Sequence, residues 1–393
     1  MITNNNSTSP ITLGAVVNAG AGAINITSGA QITETGAGAI STTDTLATSS
    51  VLGQTLNGPN TVSTFNASNF TGSGAISLTN TAAPLTIAGI LGTGIGNVTI
   101  SNTGAISITG TVNAIGAGSN VSLTSTGTIT ESGPGLVNAA GTLTTSSVGG
   151  QTLNAGNSVG GFVANNASSG NIAFTNIAGG FNTAPTVAGV TVLTPGAITN
   201  GAGSVSIDNS GSMFTNGPIF ANSTSGSVAL TASGPSADIT MNSNLTNMNA
   251  FAANAGRDIV RNPGFTTSTG TLNATAGRDI LISAVTTSAG LTSPSMSLTA
   301  GRELKIQAGT GTGALAYAYS NLAGATQTVN ANTITIQGGS VGNGNYAGLF
   351  GLGTQSIFAS SGIMIKGGPS GGIASSGNYG EISTTSSVPT LID

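Results

Sequence analysis

Short segments in which apolar residues alternate with Ser, Thr or Asn recur along this chain. Clear examples are GAINITS at 22–28, GAISLTN at 74–80, GNVTISN at 96–102, GNIAFTN at 170–176 and GSVALTA at 226–232. A period of two residues is typical of a strand with one buried face, and the Gly and Asn residues between the segments are typical of turns. No segment shows a period of 3.6 residues, so the pattern predicts an all-β protein.

A longer repeat groups these segments into blocks. ITET at 32–35 returns as ITES at 129–132, and ATSSVLGQTLN at 47–57 returns as TTSSVGGQTLN at 144–154, a shift of 97 in both cases (129 − 32, 144 − 47). GNVTISNTGAISITG at 96–110 matches GSVSIDNSGSMFTNG at 203–217, a shift of 107 (203 − 96). Three blocks therefore open near Ile24, Val121 and Val228.

Equivalent strands within a block recur at a spacing of about 22 residues, as from Ile76 to Val98 and from Val98 to Val121. A repeat of this length that contains only short strands and turns is typical of a β-solenoid, in which each coil buries its apolar face against its neighbours. We predict coils of about 20 to 25 residues, and four coils of about 24 residues would account for the shift of 97. A β-sandwich is the competing fold, but it predicts no fixed coil spacing.

Composition supports stacked coils and excludes several kinds of site. Only 4% of the residues are charged, 62 are Gly, and Cys and His are absent. Ser, Thr and Asn can stack on copies of themselves in successive coils, whereas like charges would repel. The missing Cys and His exclude a disulfide framework and the usual zinc or copper ligands, and we expect no cofactor. The net charge of −4, with no Lys or Arg in residues 1–256, argues against nucleic acid.

Neither a membrane span nor a secretion signal is visible. No apolar run approaches the roughly 18 residues that a membrane helix needs. The opening MITNNNSTSP lacks the basic and apolar regions of a secretory signal.

The six basic residues of the chain include three in one recurring motif, AGRDI at 255–259, AGRDI at 276–280 and AGREL at 300–304. Strict alternation with the following Ile or Leu would turn each Arg inward, where a bare guanidinium is too costly. We therefore place the arginines in a corner, where the acid that follows each of them offsets the column of like charges through pairs along or between coils. The predicted corner ladder consists of Arg257, Asp258, Arg278, Asp279, Arg302 and Glu303. Binding of an anionic partner is the alternative role.

The C-terminal region is richer in aromatic residues. Exposed rings beside Asn and Gly suit stacking against sugars, but such rings also cap a solenoid core or form contacts between subunits. The candidate residues for a glycan or subunit contact are Tyr317, Tyr319, Tyr346, Phe350 and Tyr379.

Catalysis has little support in the sequence. The ten acids are scattered, and Glu34 and Glu131 occupy equivalent positions of the repeat, which indicates a structural role. No combination of residues for nucleophilic or general acid–base chemistry is present. We therefore predict a protein that is not an enzyme.

The three Ala-Gly-Arg motifs, one coil apart within Gly/Asn/Thr-rich strand repeats, resemble the haemagglutinin-type repeats of filamentous-haemagglutinin-like exported bacterial proteins. The resemblance covers about 255–306. It implies a right-handed parallel β-helix that forms the shaft or passenger of a bacterial surface adhesin, outside the cell, with a host or cell-surface glycan or protein as candidate partner. An exported secretion domain with Asn-Pro-Asn motifs has no counterpart except the weak RNPG at 261–264.

The predicted organisation is an N-terminal lead-in or cap at 1–23, strand-repeat blocks at 24–254, haemagglutinin-like coils at 255–308, and Gly- and aromatic-rich coils at 309–393 that form a cap or a subunit contact. Neither end shows a helix or a charged run that would blunt an open strand edge. A self-assembling extracellular fibre, sheath or matrix subunit, which associates end to end or laterally, is therefore the alternative function.

Overall fold

The computed structural model of the protein describes residues 1–70, 73–92, 94–177, 180–182, 186–187, 190–191, 198–201, 203–222, 224–368, 377–384 and 390–392. Every regular element in these ranges is a β-strand. The same ranges contain no helix that is long and apolar enough to cross a membrane. The prediction of an all-β solenoid is confirmed, because nearly all strands pair in parallel with strands of neighbouring coils.

The strands are short and follow one another closely. The first strands are β1 (Ile2–Asn4), β2 (Ile11–Leu13), β3 (Val16–Gly20), β4 (Ile24–Ser28), β5 (Ile32–Glu34), β6 (Ala39–Ser50), β7 (Gln54–Asn69), β8 (Ile76–Thr81), β9 (Leu85–Gly92), β10 (Val98–Thr103), β11 (Ile106–Ile108), β12 (Thr111–Ala114), β13 (Val121–Ser125), β14 (Ile129–Glu131), β15 (Leu136–Ser147), β16 (Gln151–Asn166) and β17 (Ile172–Asn176). The remaining strands are β18 (Gly180–Asn182), β19 (Thr186–Val187), β20 (Val190–Thr191), β21 (Ile198–Asn200), β22 (Val205–Asn209), β23 (Ser212–Thr215), β24 (Ile219–Phe220), β25 (Ser227–Ala232), β26 (Ile239–Met241), β27 (Leu245–Ala255), β28 (Ile259–Arg261), β29 (Gly264–Ala276), β30 (Asp279–Ser283), β31 (Ala289–Ser293), β32 (Ser295–Ala300), β33 (Glu303–Gln307), β34 (Ala316–Ser320), β35 (Thr326–Gln337), β36 (Ala347–Gly351), β37 (Thr354–Lys366), β38 (Gly380–Thr384) and β39 (Thr390–Ile392).

The chain divides into two compact units. The N-terminal unit comprises Met1–Ala178 with short segments at 185–192 and 200–202, and the C-terminal unit comprises most of Gly203–Asp393 with short segments at 179–184 and 193–199. The finer subdivision at 24, 121 and 228 stays a prediction from the sequence.

In the N-terminal unit, one buried column shows the coil length directly. Each coil contributes one position and contains about 22 residues, in agreement with the spacing of the sequence repeats. Most of these side chains are fully buried. Within each strand, buried residues alternate with residues that face outward. Burial of such apolar side chains is the main stabilising term of each coil. The paired positions are Ile11, Ile32, Gln54, Ile76, Val98, Val121, Leu143 and Phe162.

The outward positions of the same strands carry hydroxyl groups in register. One column contains Ser77, Thr99, Ser122 and Thr144, and a second column, two residues further along each strand, contains Thr79, Ser101, Thr124 and Ser146. Neutral side chains can occupy such columns without repulsion between coils, which explains why so little of the sequence is charged.

A ladder of buried polar residues runs through the N-terminal unit. Asn80 donates from Nδ2 to Oδ1 of Asn102 (3.0 Å), and the Asn80 Oδ1 atom accepts from the backbone N–H of Val62 (2.8 Å). Asn60 accepts in the same way from the N–H of Ile40 (2.6 Å). Ile40 and Val62 lie in strands close to shifts of register, and the asparagine side chains satisfy backbone N–H groups there.

The long repeat, with its shift of 97, does not correspond to four coils. Four steps along the buried column lead from Ile32 to Val121, whereas its repeat equivalent Ile129 pairs with Ile106 and Gln151 in a different column, on the next strand of the coil. The prediction of four coils of about 24 residues was therefore wrong. The repeat instead spans four shorter coils plus one strand. The second copy of the repeated segment therefore lies on the neighbouring face of the solenoid. This is possible because every face needs the same alternation of apolar and polar residues.

In the C-terminal unit the coils lengthen toward the C-terminus. Successive positions of one column are about 20 to 26 residues apart up to Leu304, and about 30 residues apart after it. The predicted coil length of about 20 to 25 residues fails for these last coils. The additional residues lie partly in the connections 308–315 and 338–346. The column consists of Met213, Ile239, Ile259, Ile280, Leu304, Ile334 and Ile363.

Glycines at the corners allow the backbones of successive coils to meet. A Cβ atom built on Gly110 would overlap the carbonyl oxygen of Ala88, and one on Gly277 would overlap that of Gly256. Gly256 and Gly301 are in the same position, which explains the Gly of the Ala-Gly-Arg motif. Any larger side chain would push two coils apart.

We expect Gly110→Ala to lower the free energy of unfolding by about 2 kcal/mol or more, because the new methyl group overlaps backbone that cannot move without separating coils. Gly14→Ala is the control, since nothing lies within 4 Å of a Cβ there, and a change within about 0.5 kcal/mol is expected. Urea unfolding followed by circular dichroism measures both. Equal effects of the two substitutions would contradict the close-contact explanation.

Candidate functional site

All four tyrosines of the chain line one cavity of about 420 Å³ in the C-terminal unit. The described residues that line it are Leu315, Tyr317, Tyr319, Tyr346, Phe350, Gly351, Tyr379 and Ser383. The five aromatic residues that the sequence singled out for a glycan or subunit contact are thus brought together. We call this site the aromatic cavity.

Parallel pairing of β34, β36 and β38 assembles the aromatic cavity. Tyr319 pairs with Phe350 and Phe350 with Ser383, so these three residues form one outward column. The residues just before the strands form a second column, because Ala316 donates its N–H to the carbonyl of Tyr346 (3.1 Å) and Ala347 donates to that of Tyr379 (2.9 Å). Side chains distant in sequence therefore share one face.

The third column alternates aromatic residues with glycine, and this alternation makes a floor. Phe265, Gly290, Tyr317 and Gly348 follow one another in register. A Cβ on Gly290 would lie 2.8 Å from ring atoms of Tyr317, and one on Gly348 would overlap the ring of Phe350. Each ring therefore lies over a glycine, against the sheet. The sequence analysis did not identify these glycines as part of the site. The sequence signal that could have identified them is that they occupy the same position of the coil as Phe265 and Tyr317.

A stack of two rings forms the wall of the aromatic cavity. The rings of Tyr346 and Tyr379 are 5.3 Å apart at their centroids and only 13° from parallel. The ring of Phe350 is 5.8 Å from that of Tyr346 and nearly perpendicular to it, at 80°. Both arrangements are among those that aromatic pairs prefer. The floor and the wall thus meet at close to a right angle.

The aromatic cavity is neutral and partly buried. Among the described residues, its lining contains no charged side chain. Burial raises the pKa of the Tyr317 phenol, although a hydrogen bond with Thr292 opposes the shift. Burial also raises the pKa of Tyr379, and the nearby carboxylate of Glu381 adds to that shift. These two hydroxyls are therefore neutral at physiological pH and can both donate and accept hydrogen bonds.

The three Ala-Gly-Arg motifs form a ladder of ion pairs between coils. Arg278 donates from Nε to Oδ1 of Asp258 (2.9 Å), and its NH2 group contacts Oδ2 of the same carboxylate. Arg302 binds Asp279 in the same two-pronged manner, with an Nε to Oδ1 distance of 2.8 Å. Each two-pronged contact is thus with the acid of the preceding coil, and Arg278 also forms an ion pair with Asp279, the acid that follows it, at 3.2 Å. Glu303 pairs in register with Asp279, one coil later.

The ladder begins one coil earlier than the sequence indicated. Arg257 donates from Nε to Oδ1 of Asp238 (2.7 Å), a residue that lies outside the three motifs. This hydrogen bond is the main cause that lowers the pKa of Asp238 and raises that of Arg257. The missed signal is Asp-Ile at 238–239, since Ile239 pairs with Ile259 and Asp238 therefore occupies the position of Asp258.

One arginine outside the three motifs lies in the interior. Arg261 is fully buried. Its NH1 group donates to the carbonyl oxygens of Met241 (2.9 Å) and Ser243 (2.8 Å), and Nε donates to that of Gly264 (3.1 Å). Burial lowers the pKa of Arg261 to about 10, so the charge persists at neutral pH. These backbone carbonyl groups compensate for the burial in part, since the NH2 group of Arg261 is buried without a hydrogen-bond partner.

Glu34 and Glu131 make equivalent contacts in the two copies of the repeat. Oε2 of Glu34 accepts from the N–H of Gly58 (2.7 Å), and Oε2 of Glu131 accepts from the N–H of Ala155 (2.8 Å). The other carboxylate oxygen, Oε1, is buried without a hydrogen-bond partner in both residues. Burial raises the pKa of Glu131 to about 7, although its hydrogen bonds from Ala155 and Asn157 oppose the shift.

No cluster of three or more His, Cys, Asp or Glu side chains that could hold a metal ion occurs in the described part of the chain. Comparisons with protein-family models, with curated proteins and with solved structures found no match.

We expect Arg278→Ala to lower the free energy of unfolding measurably, because the carboxylate of Asp258, only 10% exposed, loses two charge-assisted hydrogen bonds. Lys305→Ala removes a cation from the next strand and should change stability by less than about 0.5 kcal/mol. Chemical unfolding measures both, and the double variant with Asp258→Asn should recover part of the loss. A loss for Arg278→Ala no larger than the control's would show that the ladder contributes little.

Glu131→Gln should become progressively more stable than the native protein as pH rises. The pKa of Glu131 is about 7 in the folded chain against an ordinary 4.5, so the folded state binds this proton more tightly. The resulting stabilisation is complete below pH 4.5 and is lost as pH rises through about 7. Thermal unfolding of both proteins between acidic and neutral pH measures the difference. Asp44→Asn, at an exposed position, is the control, and a pH-independent difference would contradict the shift.

Proposed function

We propose that this protein is a non-enzymatic structural and adhesive β-solenoid of a bacterial cell surface, the shaft or passenger of an adhesin. The observation that supports this proposal best is the uninterrupted parallel pairing of coils within each unit. In the N-terminal unit this pairing joins Ile11 to Phe162 through seven successive steps. A backbone that is hydrogen-bonded on both sides offers few extended segments to a protease.

The outer surface suits an exposed, unreactive shaft. Its hydroxyl columns are neutral and bear no reactive thiol, and six of the sixteen charged residues of the chain are paired in the ladder from Asp238 to Arg302. The aromatic cavity is the feature of this surface most suited to adhesion, since an open group of aromatic rings is a common binding surface.

The alternative function, a self-assembling fibre subunit, is favoured by a separate feature. Ile365 in β37 pairs with Ile336 of β35, which is fully buried, yet Ile365 itself is 47% exposed. Among the described residues, no strand pairs with the other side of the segment from Gly362 to Lys366. A strand of a second copy would cover this edge and its apolar side chain.

Bead adhesion and electron microscopy together test these functions. Beads coated with the full chain should adhere to cell monolayers more than beads coated with the heat-denatured chain, and particles imaged by negative stain should stay short and uniform over a dilution series. Filaments that disappear in Ile365→Lys, but not in the exposed-turn control Val285→Lys, would establish the fibre instead. Absence of adhesion together with uniform particles would contradict both functions.

A further inference from the structure

We propose that the aromatic cavity binds a neutral oligosaccharide, with one pyranose ring packed on the floor formed by Tyr317 and Phe350 and its hydroxyl groups facing the wall of Tyr346 and Tyr379. This inference rests on the proposed adhesive function and names the chemical class of the ligand. The site lies on the outer face of β34, β36 and β38 and belongs to this chain alone.

The floor has the shape that a sugar ring requires. Because the rings of Tyr317 and Phe350 lie over Gly290 and Gly348, their faces are turned away from the sheet. The C–H groups on one face of a pyranose carry partial positive charge and are attracted to the negative face of an aromatic ring. The cavity, about 420 Å³, is within the range of small-ligand sites and leaves room for more than one sugar ring.

The polar groups match a neutral polyol. Four tyrosines and Ser383, each with a hydroxyl group, line the aromatic cavity. Each hydroxyl can donate and accept, as can each hydroxyl of a sugar. The hydroxyl of Tyr317 has a hydrogen bond with Thr292, but a purely apolar partner would offer none to the other tyrosine hydroxyls, which is unfavourable. Glu381, in register with Gly348, places a carboxylate beside the site and opposes an anionic sugar.

A quaternary ammonium ion is the main competing ligand, because aromatic residues near a carboxylate attract cations. Such a cation is best enclosed by ring faces on several sides. In the aromatic cavity the rings of Tyr346 and Tyr379 stack on each other, so part of each face is occupied by the other ring. The arrangement of one floor and one wall favours a flat, extended ligand over a compact cation.

The chain contains its own probe for this site. It has four tyrosines and no tryptophan, and all four tyrosines line the aromatic cavity. Intrinsic tyrosine fluorescence therefore reports on this cavity alone. Phe350→Ala and Phe358→Ala both keep the four tyrosines, and Phe358 is an exposed ring outside the lining, so the second variant is a matched control.

The experiment titrates the full chain with cellohexaose, maltohexaose and chitohexaose, with a heparin-derived hexasaccharide and choline chloride as comparators. We expect a saturable change in tyrosine fluorescence with at least one neutral hexasaccharide. Phe350→Ala should weaken that binding about tenfold, since it removes one stacked ring, while Phe358→Ala should leave it unchanged. Calorimetry on Tyr346→Phe, which removes one hydroxyl and keeps the ring, should show a smaller loss and covers the case in which Phe350→Ala does not fold.

Binding of choline or of the anionic sugar in preference to every neutral sugar would overturn the inference. So would the absence of any sugar binding, or a self-association that Phe350→Ala abolishes, which would identify a second copy as the occupant. Bead adhesion separates this outcome from the proposed function: adhesion without sugar binding removes only the inference. Sugar binding without adhesion removes only the adhesive role.

Discussion

The rest of the structure depends on the parallel hydrogen bonding of each coil to the next. This pairing sets equivalent residues about 4.8 Å apart in neighbouring coils, so every side chain has a copy of its position directly above and below it. Such an arrangement favours side chains that tolerate contact with their own kind. Apolar residues inside and hydroxyl groups outside both meet this condition, as the column of Ser77, Thr99 and Ser122 illustrates.

Charge is compatible with this stacking only when opposite signs alternate along the coils. In the Ala-Gly-Arg motifs, opposite charges alternate because each Arg binds an acid of the coil before it. Arg278 binds Asp258 of the coil before, and its own neighbour Asp279 binds Arg302 of the coil after. The preceding glycines allow the corner backbones to approach closely enough for these pairs. Buried Arg261 follows another rule, because carbonyl oxygens of neighbouring turns surround it in place of a carboxylate.

Much of the fold could be predicted from the sequence because each coil repeats a local pattern. The spacing from Ile76 to Val98 reports the coil length directly, and the structure pairs these two residues. The long repeat was misinterpreted for a physical reason: alternation has the same period on every face, so the sequence does not reveal which face receives a copied segment. The burial of Arg261 was missed because its compensation comes from backbone carbonyl groups, and their positions depend on turn geometry that the sequence does not encode in a recognisable pattern.

The candidate site was predictable as a group of residues but not as a shape. The shorter coils of the N-terminal unit also carry a pocket of about 430 Å³, lined by Ser, Thr, Ala, Val and Pro residues, so what distinguishes the aromatic cavity is its rings. The cavity occurs where coils lengthen, since the connections 308–315 and 338–346 end in Leu315 and Tyr346, two of its lining residues. Gly290 and Gly348 then lower the floor by leaving out side chains between aromatic positions. The aromatic cavity thus coincides with a local departure from the repetition that stabilises the solenoid, and the last coils combine three such departures: longer connections, glycines in an outward column, and aromatic rings in place of hydroxyl groups.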